Sequence, residues 1–141
     1  MISNRLRALT LTILTAIALS SYADAQDKPV KVANAWVRLP AAGATSTIAV
    51  AAVENPGMYT IYMLSATSDA AGKVEFRDAS KGPQAIDEVA VINYETTYLD
   101  PKGIHLFLSD LKRPLKEGDT VTIQIKTDQG TFEVPAVVKK E

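Results

Sequence analysis

His105 is the single histidine of a 141-residue chain that has no cysteine. Any acid–base or metal chemistry must therefore pass through it, or through carboxylates, hydroxyls, lysine amines and thioethers. It sits in Gly103-Ile104-His105-Leu106-Phe107-Leu108, a run that reads as a strand. A catalytic histidine needs a nucleophile beside it, and a serine triad also needs an orienting carboxylate and an oxyanion hole. The sequence offers no G-x-S-x-G elbow, no S-x-x-K pair and no H-E-x-x-H helix, the local frames that would supply such partners. Adjacent acids such as Asp87-Glu88 are ordinarily solvated on a sheet protein. Without cysteine there is no thiolate nucleophile, no disulfide exchange and no Cys-ligated zinc or iron–sulfur centre. The residues converge on no reaction class, and the expectation is a protein that is not an enzyme.

With catalysis set aside, His105 is the candidate metal ligand. Beyond the first residue the thioethers are Met58 and Met63. Met58 follows Asn55-Pro56-Gly57 in an expected turn, and Met63 lies in an apolar run where a core role is the default. Their odd spacing would put them on opposite faces of a single strand. A harder site, from His105 with Asp78 or Glu88, would suit Zn(II) or Cu(II), because imidazole and carboxylate favour those ions.

The elements that must position His105 are short. Arg5 and Arg7, an apolar run from Ala8 to about Leu19, and Ala23-Asp24-Ala25 form a secretory signal with an A-x-A cleavage site. Residues 1–25 are expected to be removed near Ala25, leaving 26–141 as one exported, periplasmic domain. The apolar run is shorter than the ~20 residues of a spanning helix, and no membrane insertion of the mature form is expected. The net charge is −1, with acids and bases interspersed. Mixed charge builds little field, so a nucleic-acid partner is not expected. Lys112, Arg113 and Lys116, followed by Glu117 and Asp119, read as a solvated loop.

From Val30 onward, apolar stretches alternate with turn residues: VKVANAWVRL, STIAVAAVE, IYMLSATS, KVEFRDAS, EVAVINYETTYL, IHLFLSDL, DTVTIQIKT and TFEVPAVV, punctuated by Gly, Pro, Asn and Asp. That pattern predicts an all-β antiparallel sandwich or barrel. In DTVTIQIKT, Val121, Ile123 and Ile125 alternate with Thr122, Gln124 and Lys126, one face buried and one wet. In IHLFLSDL, Ile104, Leu106 and Leu108 share one face, while His105, Phe107 and Ser109 share the other. His105 should therefore point away from the core with Phe107 beside it. The stretches Glu54 to Tyr62 and Gln84 to Val89 are too irregular to assign.

AWVR at 35–38, NPG at 55–57, AGKVEFRDAS at 71–80 and IHLFLSDLKRPLKEGDTV at 104–121 resemble the periplasmic copper chaperone family called PCu(A)C, over about Val32 to Val138. The resemblance implies a cupredoxin-like antiparallel Greek-key β-sandwich that carries copper, chiefly Cu(I), toward a copper enzyme or its assembly factor. It also implies a ligand set: a histidine with a methionine soon after, a distant methionine, and a terminal His-x-Met. Soft Cu(I) favours thioether and imidazole, and an i, i+2 pair shares one face of a strand. On this chain those positions fall on Arg77, Ala79, a residue at or near Glu88, His105 and Phe107. Only His105 can ligate in the family manner, since a guanidinium carries no lone pair. The expectation is a family member whose metal site is degenerate, with Arg77 and Glu88 paired beside Phe107 where copper would sit. The alternatives are a carrier using His105 with non-standard ligands, and a metal-free interaction module in copper-enzyme assembly.

Overall fold

The computed structural model describes residues 28–141; the expected signal segment lies outside the described residues. Val121, Ile123 and Ile125 are fully buried while Gln124 and Lys126 are exposed, so the period-two pattern is realised as one core face and one wet face. Among the described residues there are nine strands: β1 Lys31–Arg38, β2 Thr47–Glu54, β3 Ile61–Ser68, β4 Ala71–Asp78, β5 Val89–Val91, β6 Thr96–Tyr98, β7 Ile104–Leu111, β8 Thr120–Thr127 and β9 Gly130–Lys139, of which β2 is buried on both faces from Thr47 to Val53. A single 3-10 turn at Ala79–Lys81 follows β4.

The strands lie in the order β1-β9-β8-β3-β4-β7-β2-β6, and β1 also pairs with β2, which closes the sheet on itself. Closure removes the long free edges that an open sheet would expose. β5 pairs with β3 beside this path. All pairs are antiparallel except β1 with β9, which is parallel from Trp36↔Val137 to Arg38↔Lys139. The interior is filled by Val37, Val53, Met63, Phe76, Leu106, Leu108, Val121, Ile123, Ile125, Val134 and Val138, each at most 2% exposed.

EVAVINYETTYL, expected as one strand, is two. The run is cut after Val91, where Glu95 N donates to Ile92 O at 3.1 Å and Tyr94 adopts φ 60. A left-handed residue reverses the chain sharply, and here a tyrosine holds it where glycine or asparagine is usual. The irregular stretch after Glu54 is a loop organised by Asn55, which is fully buried. Its Nδ2 donates to Tyr59 O at 2.7 Å and to Val91 O at 2.9 Å, and its Oδ1 accepts from Gly57 N at 3.0 Å.

The ladder that matters for the candidate site is β4 with β7, in register from Ala71↔Leu111 to Asp78↔Ile104. Phe76 and Leu106 are paired and face the interior. The alternate pairs, Arg77↔His105 and Glu75↔Phe107, therefore lie together on the outer face.

Candidate metal position on strands β4 and β7

Direct cross-strand neighbours on one face stand about 5 Å apart at Cβ, and diagonal ones remain within reach of long side chains. Glu75, Arg77, His105 and Phe107 thus form a square of side chains. Arg77 Nη2 donates to Glu75 Oε1 at 2.7 Å. Its guanidinium carbon lies 3.5 Å from the centroid of the Phe107 ring, a cation over the negative face of an aromatic ring. Both charged side chains are mostly covered, at 21% and 16% exposure. Arg77 Nε is buried with no hydrogen-bond partner among the described residues, so the carboxylate and the ring carry the stabilisation of this cation.

His105 is on the outer face, as its alternation requires, yet is only 8% exposed. Arg77 flanks it across the ladder, and the Asp100–Gly103 turn flanks it along the strand. Its Nδ1 lies 3.0 Å from Gly103 O. A carbonyl oxygen can only accept, so Nδ1 carries the proton and, in the neutral ring, Nε2 keeps the lone pair. The same Gly103 carbonyl accepts from Ala79 N at 3.0 Å, which ties the end of β4 to the start of β7.

The other expected contributors are elsewhere or engaged. Glu88 does not meet Arg77: it is exposed and leads into β5, which pairs with β3, while the carboxylate on Arg77 is Glu75. Glu75 was readable as a partner, since i and i−2 share a strand face. Ala79 is exposed in the 3-10 turn. Asp78 receives the Ser80 hydroxyl at 2.6 Å and the Ser80 N–H at 2.9 Å. Both bonds end on Oδ1; the hydroxyl first, then the N–H, they hold its carboxyl below the ordinary 3.8, with smaller contributions from the Lys81 and His105 charges. Met63 is fully buried in the core and Met58 is 44% exposed in the loop before β3; neither lies on β4 or β7. Among the described residues no group of three or more His, Cys, Asp or Glu is placed to hold a metal ion.

The donor set does not fit Cu(I), which asks for several thioether or imidazole donors. One imidazole nitrogen is present. Beside it are a guanidinium and a phenyl ring that cannot ligate, and a hard carboxylate already bound to the guanidinium.

The Arg77–Glu75 pair is directly testable. Glu75→Ala leaves a largely buried cation with the Phe107 ring alone, and should lower the unfolding free energy by about 1–2 kcal/mol, at the lower end for a covered pair because both groups keep some water. Replacing both partners, Glu75→Leu with Arg77→Met, should recover most of that loss, since apolar groups of similar volume need no pairing. Urea midpoints of the native chain and the two variants decide it. Equal midpoints for native and Glu75→Ala would mean that the pair is simply solvated.

The closed, largely antiparallel sheet matches cupredoxin-like domains of the PCu(A)C copper-chaperone type. The chain belongs to the LpqE-like family, whose profile, described as "Putative lipoprotein LpqE-like", matches residues 30–138. It is similar to "Putative lipoprotein Lxx21020" of Leifsonia xyli subsp. xyli (strain CTCB07), 30% identical over 118 residues, which span 79% of this chain and 70% of that protein. Among solved structures it is similar to Cu(I)-DR1885 from Deinococcus radiodurans in solution, with 30% identity, 86% of each chain covered and a TM-score of 0.69. It also superposes on the copper-bound PCuAC domain from PmoF2 with a TM-score of 0.71, 19% identity, and 81% of this chain and 95% of that chain covered. At that identity the second likeness shows the fold alone. The lipoprotein label belongs to the family and the relative; the 141 residues of this chain include no cysteine.

Proposed function

We propose that this protein is an exported member of the copper-chaperone family in which a side-chain cation stands where the relatives hold copper. The signal peptide would be residues 1–25 and the working domain 26–141, acting in the periplasm. The observation that supports this most strongly is the Arg77 guanidinium, 2.7 Å from Glu75 and 3.5 Å from the Phe107 ring centroid, directly across the ladder from His105. A fixed positive charge beside the imidazole opposes the arrival of a second cation, and among the described residues no other soft donor lies on β4 or β7. On this reading the protein serves copper homeostasis by contact with a copper enzyme or its assembly factor, not by carrying Cu(I) at this position, and it catalyses no reaction.

One observation favours the carrier alternative: His105 Nδ1 is fixed on Gly103 O, which aims a free Nε2 lone pair in the manner of a prepared ligand. A competition titration separates the two readings. Cu(I) held by a colorimetric chelator is offered to the native chain and to His105→Ala. Neither should take up stoichiometric copper, with apparent dissociation constants weaker than about 1 μM, or about −8 kcal/mol. Tight one-to-one uptake by the native chain that is lost in His105→Ala would establish the carrier and overturn the proposal.

A further inference from the structure

Antiparallel sheets that face water on one side alternate apolar-in with polar-out, and β8 obeys, with Thr122, Gln124 and Lys126 outward. The adjoining strands do not. On the outer face of β3, Tyr62 and Leu64 are 37% and 40% exposed. On β5, Ala90 is exposed and directly paired with Tyr62, and Ile92, just beyond, is 47% exposed. Tyr94 follows at the tip of the turn, 66% exposed, in its left-handed conformation. Isolated exposed apolar residues are normal, but a contiguous cluster rimmed by polar groups marks an interaction site.

The backbone under this face is fixed. Tyr62 N donates to Asp128 Oδ1 at 2.9 Å, and buried Asn55 binds the Tyr59 and Val91 carbonyls on either side of it. Its rim is acidic. Asp87 and Glu88 lead into β5, Glu95 closes the turn after Ile92, and Asp128 stands at Tyr62, all of them exposed. Lys126 is the only lysine or arginine on β3, β5 or β8.

We propose that the Tyr62, Leu64, Ala90 and Ile92 face is a docking surface for a partner protein that presents an apolar strip flanked by lysine or arginine. Tyrosine beside aliphatic residues supplies a desolvated centre, and the acidic rim steers a basic partner and fixes its register. The same rim opposes the other occupants. A second copy placed face to face about a two-fold axis would set these acids against themselves, and the surface of an anionic membrane would repel them. The face excludes the Glu75–Arg77–His105–Phe107 square, so it stands whatever that position binds.

The test uses the full chain as the cell produces it and a synthetic strand-length peptide of alternating lysine and leucine, followed by calorimetry, with a glutamate–leucine peptide as control. The lysine peptide should bind and the glutamate peptide should not. Tyr62→Ser with Ile92→Ser should weaken binding about tenfold, as for interface anchors. Asp87→Lys with Glu88→Lys should weaken it about fivefold and flatten its dependence on salt. Val137→Ser, at a β9 position 45% exposed, should leave the affinity unchanged. Equal binding of both peptides, or native affinity in both double variants with an unchanged thermal midpoint, would overturn the proposal. So would concentration-dependent sedimentation, or binding to phosphatidylglycerol vesicles, that is lost in the Tyr62 and Ile92 variant, for it would give the face to self-association or to a membrane.

Discussion

Arg77→His combined with Phe107→Met is expected to raise the Cu(I) affinity of the chain roughly a thousandfold, about 4 kcal/mol. The two substitutions remove the fixed cation and the ring, and put an imidazole and a thioether on positions that already share a face with His105. Arg77 is the direct cross-strand neighbour of His105, so two imidazoles would stand about 5 Å apart at Cβ, close enough to meet one ion. Phe107 is at i+2, on the same face of the same strand. His105 needs no adjustment, because its Nδ1 is already held by Gly103 O, which leaves Nε2 to meet the ion. Glu75 loses its partner in this variant and becomes an anion near the incoming metal, which adds attraction. The measurement is the chelator competition, run on native and doubly substituted chains side by side. An affinity unchanged from native would mean that the β4–β7 square is not the family's copper position in this chain.

Asn55→Ala should cost about 3 kcal/mol of unfolding free energy, larger than any surface change in the domain. The side chain is fully buried and satisfies the Tyr59 and Val91 carbonyls and the Gly57 N–H. Truncation leaves these three backbone groups with poor access to water, at about 1 kcal/mol or more each. Asn55→Asp should be nearly as damaging near neutral pH, since a carboxylate can accept from Gly57 N–H but cannot donate to two carbonyls. Chemical denaturation of both variants checks this. The loss should also loosen the proposed docking face, because the Val91 end of β5 hangs on this residue. Variants within about 0.5 kcal/mol of native would show that the loop repacks.

Much of the sheet can be read from side-chain alternation alone. The β8 and β7 patterns place Ile123 inside and His105 outside because a strand has only two faces, and the resemblance carried by residues 35–38, 55–57, 71–80 and 104–121 implied the fold. The parallel pairing of β1 with β9 and the closure through β2 join residues far apart in the chain, and no local pattern encodes such contacts. The division of EVAVINYETTYL was hidden because Tyr94, not glycine, takes the left-handed position. The candidate site was half legible. His105, Arg77 and Phe107 are brought together as expected, but Arg77 turns to Glu75 two residues behind it, and Glu88 lies off toward β5. A ligand pattern carries no information on how its replaced positions pair, whereas the partner of a cation on a strand is decided by the shared face. The burial of His105 was not legible either, because β7 lies between β4 and β2, two strands that are distant from it in sequence.

The occupancy of the β4–β7 square by Arg77 is tested most directly by following that residue while copper is offered. In a chain labelled with nitrogen-15, the Arg77 Nε–H and His105 ring resonances are recorded as Cu(I) is added up to one equivalent under anaerobic conditions. With the guanidinium fixed between Glu75 and Phe107, both sets of signals should stay in place while copper remains with its chelator. Stoichiometric shifts of the His105 ring nitrogens, accompanied by movement of the Arg77 signal as the side chain swings out, would contradict it and make the square a working copper site.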